Sequence, residues 1–285
     1  MRSGAVFSSS WHMHRSMRSL FRLFSLLLAF FLLSGCGASG SRSDYFASMG
    51  QTEPPIATTG GDIPVGAEPI VPCKRVALTL DDGPHNVRTV QIVDELNKYG
   101  YHATFFVVGN RVDGTEYAGG NALRYAVASG NEIGIHGYTH TAYYDSCSDK
   151  VYNEELNKTA QAIRQLIPGY QIRLMRPVGG RITGARVMES EYAIILWDVD
   201  SEDWKNKYYA GISDAEAEAR VNTIVENVMS TVQDGSIILM HDLYESTYDA
   251  LGIILARLHA EGYEVVTVSE LLGDGLQSGQ QYRSK

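Results

Sequence analysis

Five short apolar runs in this 285-residue sequence each lead to residues that can ligate a cation, ionise or pass a proton. Val76 to Leu80 runs into Asp81-Asp82-Gly83-Pro84, and Glu132 to Ile135 into His136, with His140 four residues further on. Ile172 to Met175 ends on Arg176-Pro177, Tyr192 to Leu196 leads to Trp197-Asp198-Val199-Asp200 and then Asp203-Trp204, and Ser236 to Met240 ends on His241-Asp242. Two histidines and one carboxylate form a donor set for a divalent cation that leaves positions open for water and substrate. The i, i+4 spacing of His136 and His140 predicts two imidazoles on one side of a helical turn, and Asp82 completes the set. Neighbouring side chains at a strand end face different ways, so one of Asp81 and Asp82 can bind the ion while the other works on a substrate. The chemistry is that of a metal-assisted hydrolase.

Taken singly, each feature has an ordinary structural reading. Asp-Gly-Pro makes turns by backbone preference, paired histidines occur at loop tips, and an arginine at a rim forms ion pairs worth little. A Trp such as Trp204 is more often core than platform, and a lone histidine such as His241 at a strand end is usually structural. Convergence gives them weight, because the carboxyl ends of parallel strands in an α/β barrel share one face. Arg176 is expected to follow a strand lying beside the first, where its guanidinium could hold Asp81 ionised and oriented. The same three ligands also serve non-haem iron oxygenases, although no second-substrate signature for that chemistry is visible.

The elements that must position these residues alternate short β-rich runs with helical stretches from Lys74 onward, the signature of repeated βα units. Seven strands are expected near 76–80, 103–108, 132–135, 172–175, 193–197, 236–240 and 264–268. One helix opens at Ser213 with Glu216 at capping-box spacing, buries Val221, Ile224, Val225, Val228, Met229 and Val232, and is stopped by Asp234-Gly235. Another covers Val87 to Tyr99 with Val90, Val93 and Leu96 inward and Gly100 as its stop. The fold class is α/β, a distorted (β/α)7 TIM-like barrel, with no internal repeat. Domain boundaries are set at 1–36, 37–72, 73–275 and 276–285, the last a polar tail.

The net charge of -9 includes four arginines and no acid in residues 1 to 35, which leaves -9 - 4 = -13 on the remainder. So acidic a body argues against nucleic acid as a partner. Those arginines precede the apolar run Leu23 to Leu33, too short to span a bilayer comfortably, which reads as a signal peptide. Met17 would begin a signal of more usual length than Met1. Residues 37–72, rich in Gly, Ser, Thr, Pro and Ala, read as a flexible tether. Cys73 and Cys147 remain as a permitted but not required disulfide pair.

Leu33-Ser34-Gly35-Cys36 resembles the lipobox of bacterial lipoproteins, which implies acylation at Cys36. Asp81 to Pro84 after Thr79-Leu80, His136 to His140, Arg176-Pro177 to Gly180, Asp203-Trp204 and Leu239-Met240-His241 resemble, in order, the five motifs of the polysaccharide deacetylase family, carbohydrate esterase family four with its NodB homology domain. The resemblance runs from about Lys74 to Leu272. It implies Asp81 as catalytic base, Asp82, His136 and His140 as metal ligands, and Arg176 as the partner of Asp81. It also implies His241 as catalytic acid, Asp203 as the carboxylate that tunes it, and Trp204 and Leu239 as walls of an acetyl pocket. Leu80 stands where the family usually has Phe, and Gly137 where Ser or Thr commonly follows the first histidine. The third motif reads Arg176-Pro177-Val178-Gly179-Gly180 in place of Arg-Pro-Pro-Tyr-Gly, so an aromatic groove wall is lost at Gly179 while its backbone N–H is kept for an oxyanion.

The expected activity is removal of N-acetyl groups from an amino-sugar polymer of the cell envelope, peptidoglycan N-acetylglucosamine before chitin oligomers or an exopolysaccharide. Zinc is the expected ion, with cobalt, nickel or iron able to take the same ligands. The expected setting is a monomer, lipid-anchored at the extracellular face of a bacterial cytoplasmic membrane or secreted. The non-enzymatic alternative is a glycan-binding lipoprotein with a spent site.

Overall fold

The run Lys74–Asp81 forms β1, buried along its last six positions as a strand covered on both faces must be. This computed structural model describes residues 73–114, 119–208 and 211–285, all within one unit, Pro64–Lys285. The signal segment, Cys36 and the tether lie outside the described residues. The seven expected strands are present as β1, β2 (Thr104–Val107), β3 (Glu132–Ile135), β4 (Leu174–Met175), β5 (Ala193–Ile195), β7 (Ile237–His241) and β8 (Tyr263–Val266). Two more, β6 (Val199–Asp200) and β9 (Gln281–Tyr282), are too short to carry a periodic signal.

The ladders are parallel and the sheet runs β6-β7-β1-β2-β3-β4-β5-β9, with β8 alongside the first half of β1. Side chains alternate across the strands. Val76, Leu78 and Leu80 of β1 pack outward with Ile92, Val93, Leu96, Leu251 and Leu255, while Ala77 joins Phe106, Leu174, Ala193, Ile195, Ile237 and Val266 inside the curl. Thr79 and Asp81 share the parity of Ala77, so period two alone points Asp81 into the curl at its carboxyl end. The end of β4 is not beside β1, contrary to expectation: β2 and β3 intervene, and curvature brings Arg176 across to β1.

Helices α1 (Arg88–Asn97), α2 (Gly120–Ala128), α3 (Asp149–Leu166), α4 (Asp214–Met229) and α5 (Glu245–Ala260) flank the sheet. The Ser213 side chain caps α4 by accepting from Glu216 N, and Val221, Ile224, Val225 and Val228 are buried. The helix ends at Met229, before Asp234-Gly235, and Met229 and Val232 are only half-buried. In α1 the inward face is Thr89, Ile92, Val93 and Leu96, and Val90 is half-buried on its flank. No disulfide joins Cys73 to Cys147, whose sulfur accepts from Arg186 Nη1 at 3.3 Å.

Residues 276–285, expected as a polar tail, add β9 to the edge of β5: Ile194 N donates to Gln280 O and Leu196 N to Tyr282 O, both at 2.8 Å. Lys285 N then donates to Gly235 O at 2.9 Å and Ser284 bridges Ser236, linking the tail to the start of β7. Deleting residues 277–285 should therefore lower the unfolding free energy by about 3 kcal/mol, roughly 1 for each of these bonds. Urea unfolding of the full and shortened chains checks this, and equal midpoints would show the tail to be ornamental.

Candidate active site

Asp81 and Asp82 diverge because the backbone turns sharply between them, Asp82 having φ 73. A left-handed conformation is uncommon for a residue with a side chain, though Asp tolerates it better than most. Asp81 Oδ1 accepts from Arg176 Nη1 at 2.8 Å, and Asp82 Oδ1 lies 3.3 Å from His136 Nε2 and 2.9 Å from His140 Nε2. The other oxygen of Asp81 is 3.7 Å from His136 Nε2, so the two acids sit side by side against one imidazole. Burial opposes ionisation of Asp82, but the two imidazoles hold its carboxyl well below the usual carboxylate range.

Arg176 is fully buried, and four of its five N–H groups donate hydrogen bonds. Besides Asp81, it donates through Nη1 to Thr79 Oγ1 at 2.8 Å, through Nε to Ile195 O at 3.0 Å and through Nη2 to Leu196 O at 3.0 Å. Its own carbonyl accepts from His136 Nδ1 at 2.8 Å. That bond puts the proton of the neutral ring on Nδ1 and a lone pair on Nε2, aimed at Asp82.

The segment between the two histidines is a loop rather than the expected helical turn, with Gly137 at φ 86 and His140 at φ 58. The left-handed φ at Gly137 favours a residue without Cβ, and a Cβ there would stand 3.0 Å from Glu155 Oε2 and from the Tyr144 hydroxyl. Glu155, buried on α3, supplies the order that a helix would have given. Its Oε2 accepts from Tyr138 N at 2.7 Å and Thr139 N at 2.9 Å, and its Oε1 accepts from Thr139 Oγ1 at 2.6 Å. Sequence reading missed Glu155, since its place within an amphipathic helix gives no hint of what lies above it.

His241 ends β7 and is the register partner of Asp81 on β1. Its Nδ1 pairs with Asp203 Oδ1 at 2.7 Å, and its backbone N donates to Asp203 Oδ2 at 2.8 Å. Asp203 is fully buried and also accepts from Thr247 Oγ1 at 2.7 Å and Trp204 N at 2.8 Å. Burial alone would lower the pKa of His241; the Asp203 carboxylate overrides it and raises the value to about 9, with Asp82 and Asp81 adding to the effect. The stability this contributes is complete below the ordinary value of 6.5 and is lost as pH rises through about 9.

Asp242 is fully buried beneath the site, with one oxygen accepting from Thr89 and the other lacking a hydrogen-bond partner. Burial pushes its carboxyl up to about 7. Its oxygens lie so close to Gly83 that a Cβ there would be 2.2 Å from Oδ1, which ties the first motif to the last. Trp204 is 46% exposed beside Asp203, whereas Leu239 is buried at 4%, paired with Thr79 and facing the interior below His241. Gly179, with φ 61, lies in the short turn Val178–Gly180 that follows Arg176-Pro177.

Residues 69–192 match the family model described as polysaccharide deacetylase. Over 198 residues the chain is 39% identical to the peptidoglycan-N-acetylmuramic acid deacetylase PdaC of Bacillus subtilis, covering 70% of this chain and 38% of PdaC. It is 33% identical to a peptidoglycan-N-acetylglucosamine deacetylase of Bacillus cereus, covering 70% of this chain and 88% of that protein. The chain belongs to the polysaccharide deacetylase family. Among solved structures, PdaC superposes with a TM-score of 0.62 at 38% identity, covering 70% of this chain and 90% of the other. A family 4 acetyl xylan esterase of Clostridium thermocellum in complex with a cobalt ion superposes at 0.63, with 30% identity and coverage of 74% and 98%.

The polysaccharide deacetylase site here fits a divalent cation. Ligand atoms of Asp82, His136 and His140 all lie within 4.8 Å of one another, and the Nδ1–H bond of His136 to the Arg176 carbonyl leaves its Nε2 able to bind a cation beside Asp82 Oδ1. If the Glu155 clamp holds this triangle, Glu155→Gln should weaken divalent-metal binding by about 10- to 100-fold, the usual effect of removing a group that orients a ligand. Chelator competition measures it. Undiminished affinity would show that the loop holds its shape without the carboxylate.

Proposed function

We propose that this chain is a metal-dependent hydrolase that removes N-acetyl groups from peptidoglycan, acting on N-acetylglucosamine. The observation that carries the reading is the meeting of Asp82, His136 and His140 between an arginine-held Asp81 and an aspartate-held His241. Two relatives named for peptidoglycan deacetylation support the substrate class. A cation in the triangle, for which zinc suits redox-free hydrolysis, supplies Lewis acidity toward the acetamide carbonyl and acidifies the attacking water.

The remaining steps belong to side chains. Asp81, oriented by Arg176, accepts a proton from the attacking water. The N–H of Gly179 donates to the oxyanion, a contact of a kind worth about 3 kcal/mol. His241, cationic under the influence of Asp203, gives its proton to the leaving amine, and Trp204 and Leu239 enclose the acetyl group. The products are acetate and a free amino sugar. Acylation at Cys36 and the following tether would keep a monomeric domain at the extracellular face of the membrane, within reach of the wall. The chain covers 38% of PdaC, so what the rest of that protein does is no guide here.

Acetate release from N-acetylglucosamine oligomers, with mass spectrometry of muropeptides for the loss of acetyl mass, tests the reaction. Asp81→Asn should abolish turnover while metal content stays at the wild-type level; unchanged turnover would remove the base. The acid has its own signature. Because His241 must be protonated and its pKa is raised to about 9 by Asp203, kcat should fall as pH rises through about 9. Asp203→Asn should move that falling limb down toward about 6.5. A limb that stays in place would deny His241 the role.

A further inference from the structure

The family's third motif has an aromatic residue where this chain has Gly179, and the side chain lying against that glycine comes from a different loop. A Cβ on Gly179 would stand 3.4 Å from Cε1 of Tyr143. Tyr143 follows His140 by three residues and is 44% exposed, so its ring sits at the rim between a metal-ligating loop and the N–H assigned to the oxyanion.

The ring is held in place before any ligand arrives. Its neighbour Tyr144 is fully buried and meets the Tyr152 ring edge-on at 5.0 Å, anchoring the chain beside the exposed Tyr143. Ser146 N and Cys147 N donate to Tyr143 O at 3.2 and 3.0 Å, while Arg186 donates to the carbonyls of Tyr144 and Cys147 at 2.9 and 2.8 Å. Arg181 comes from the far side of Gly179-Gly180 and places its guanidinium carbon 4.2 Å from the Tyr143 ring centroid. Its Nε donates to Asp145 Oδ2 at 2.8 Å.

With Arg181 stacked over one face, the exposed remainder of this flat apolar ring has the chemistry of a pyranose site: C–H groups lie on the ring, and hydroxyls find donors and an acceptor in the Arg181–Asp145 pair beside it. The two charges offset each other, which favours a neutral sugar over an anionic one. We propose that Tyr143, backed by Arg181 and Asp145, forms a subsite for a neutral N-acetylated pyranose next to the unit that loses its acetyl group. It replaces from a second loop the aromatic surface missing at Gly179. This inference rests on the deacetylase reading above.

The test compares the monosaccharide and the hexamer of N-acetylglucosamine on the metal-loaded full chain. Tyr143→Ala should raise KM for the hexamer by up to about tenfold, leave kcat unchanged and leave both constants for the monosaccharide at wild-type values. Tyr143→Phe, which keeps the ring, should match wild type on both. If Tyr143→Ala loses thermal stability, Tyr143→Leu carries the same expectation, since it fills space without a flat face. An equal change on monosaccharide and hexamer, or none on either, would overturn the subsite while leaving the deacetylase intact. A wild-type protein that releases no acetate from any of these glycans would overturn the deacetylase reading and this inference with it.

Discussion

A charged guanidinium lies at full burial in the middle of this molecule, and the rest of the site is arranged around it. Removing such a group from water costs several kcal/mol, recovered only when its donors meet well-placed acceptors. Arg176 meets Asp81 and Thr79 on β1, the carbonyl of Ile195 on β5 and that of Leu196 just beyond, with the rings of Phe106 and Trp197 at 4.3 and 5.5 Å from its carbon. Its carbonyl fixes the His136 ring. One residue thus orients an acid, sets a tautomer and joins strand ends lying apart in the sheet order. The stability of the barrel and the geometry of its chemistry are the same set of hydrogen bonds.

Around that centre the protein keeps two carboxylate–imidazole pairings in different electrostatic states. Asp82 faces two imidazoles, and the pairing places a carboxylate oxygen and a ring lone pair toward a single point, which suits a cation. Asp203 faces one imidazole, and its remaining capacity is filled by Thr247 and two backbone N–H groups, so its charge acts on His241 alone. A metal side and an acid side can then share one site, because the two pairings turn different ring nitrogens to their carboxylates: Nε2 of His136 and His140 to Asp82, Nδ1 of His241 to Asp203.

The strands were legible in the sequence wherever β-branched and aromatic residues are buried on both faces, as in β1, β2 and β7. Two-residue β6 and β9 were not, since a periodic signal needs length. The site was legible as a set of endings but not as a geometry. That Arg176 spans the interior depends on how tightly the sheet curls, which no local spacing encodes. The helical reading of His136 to His140 failed because spacing by four is shared by a helical turn and by a loop bent through Gly137. Glu155 and Thr247 act from helices, at positions whose sequence surroundings look like ordinary polar punctuation. Thr79 was within reach: it lies two residues before Asp81 and so on the same face.

The departures from the family's motifs fall where the physics tolerates them. Leu80 lies on the outward parity of β1 among the helix-facing residues, so exchanging an aromatic for an aliphatic side chain there changes packing volume and leaves Thr79 and Asp81 where they were. Gly137 lacks the hydroxyl and holds a left-handed backbone at the turn that brings Tyr138 N and Thr139 N onto the Glu155 carboxylate. Val178, buried at 4%, would lie 3.7 Å from a Cβ on Gly137, so the second and third motifs have changed at positions that face each other. In this chain the charged residues match the family's motifs in type, and the departures fall at positions that fill or shape space. Such a division is expected when a misplaced buried charge costs several kcal/mol and a volume-conserving swap costs about 1.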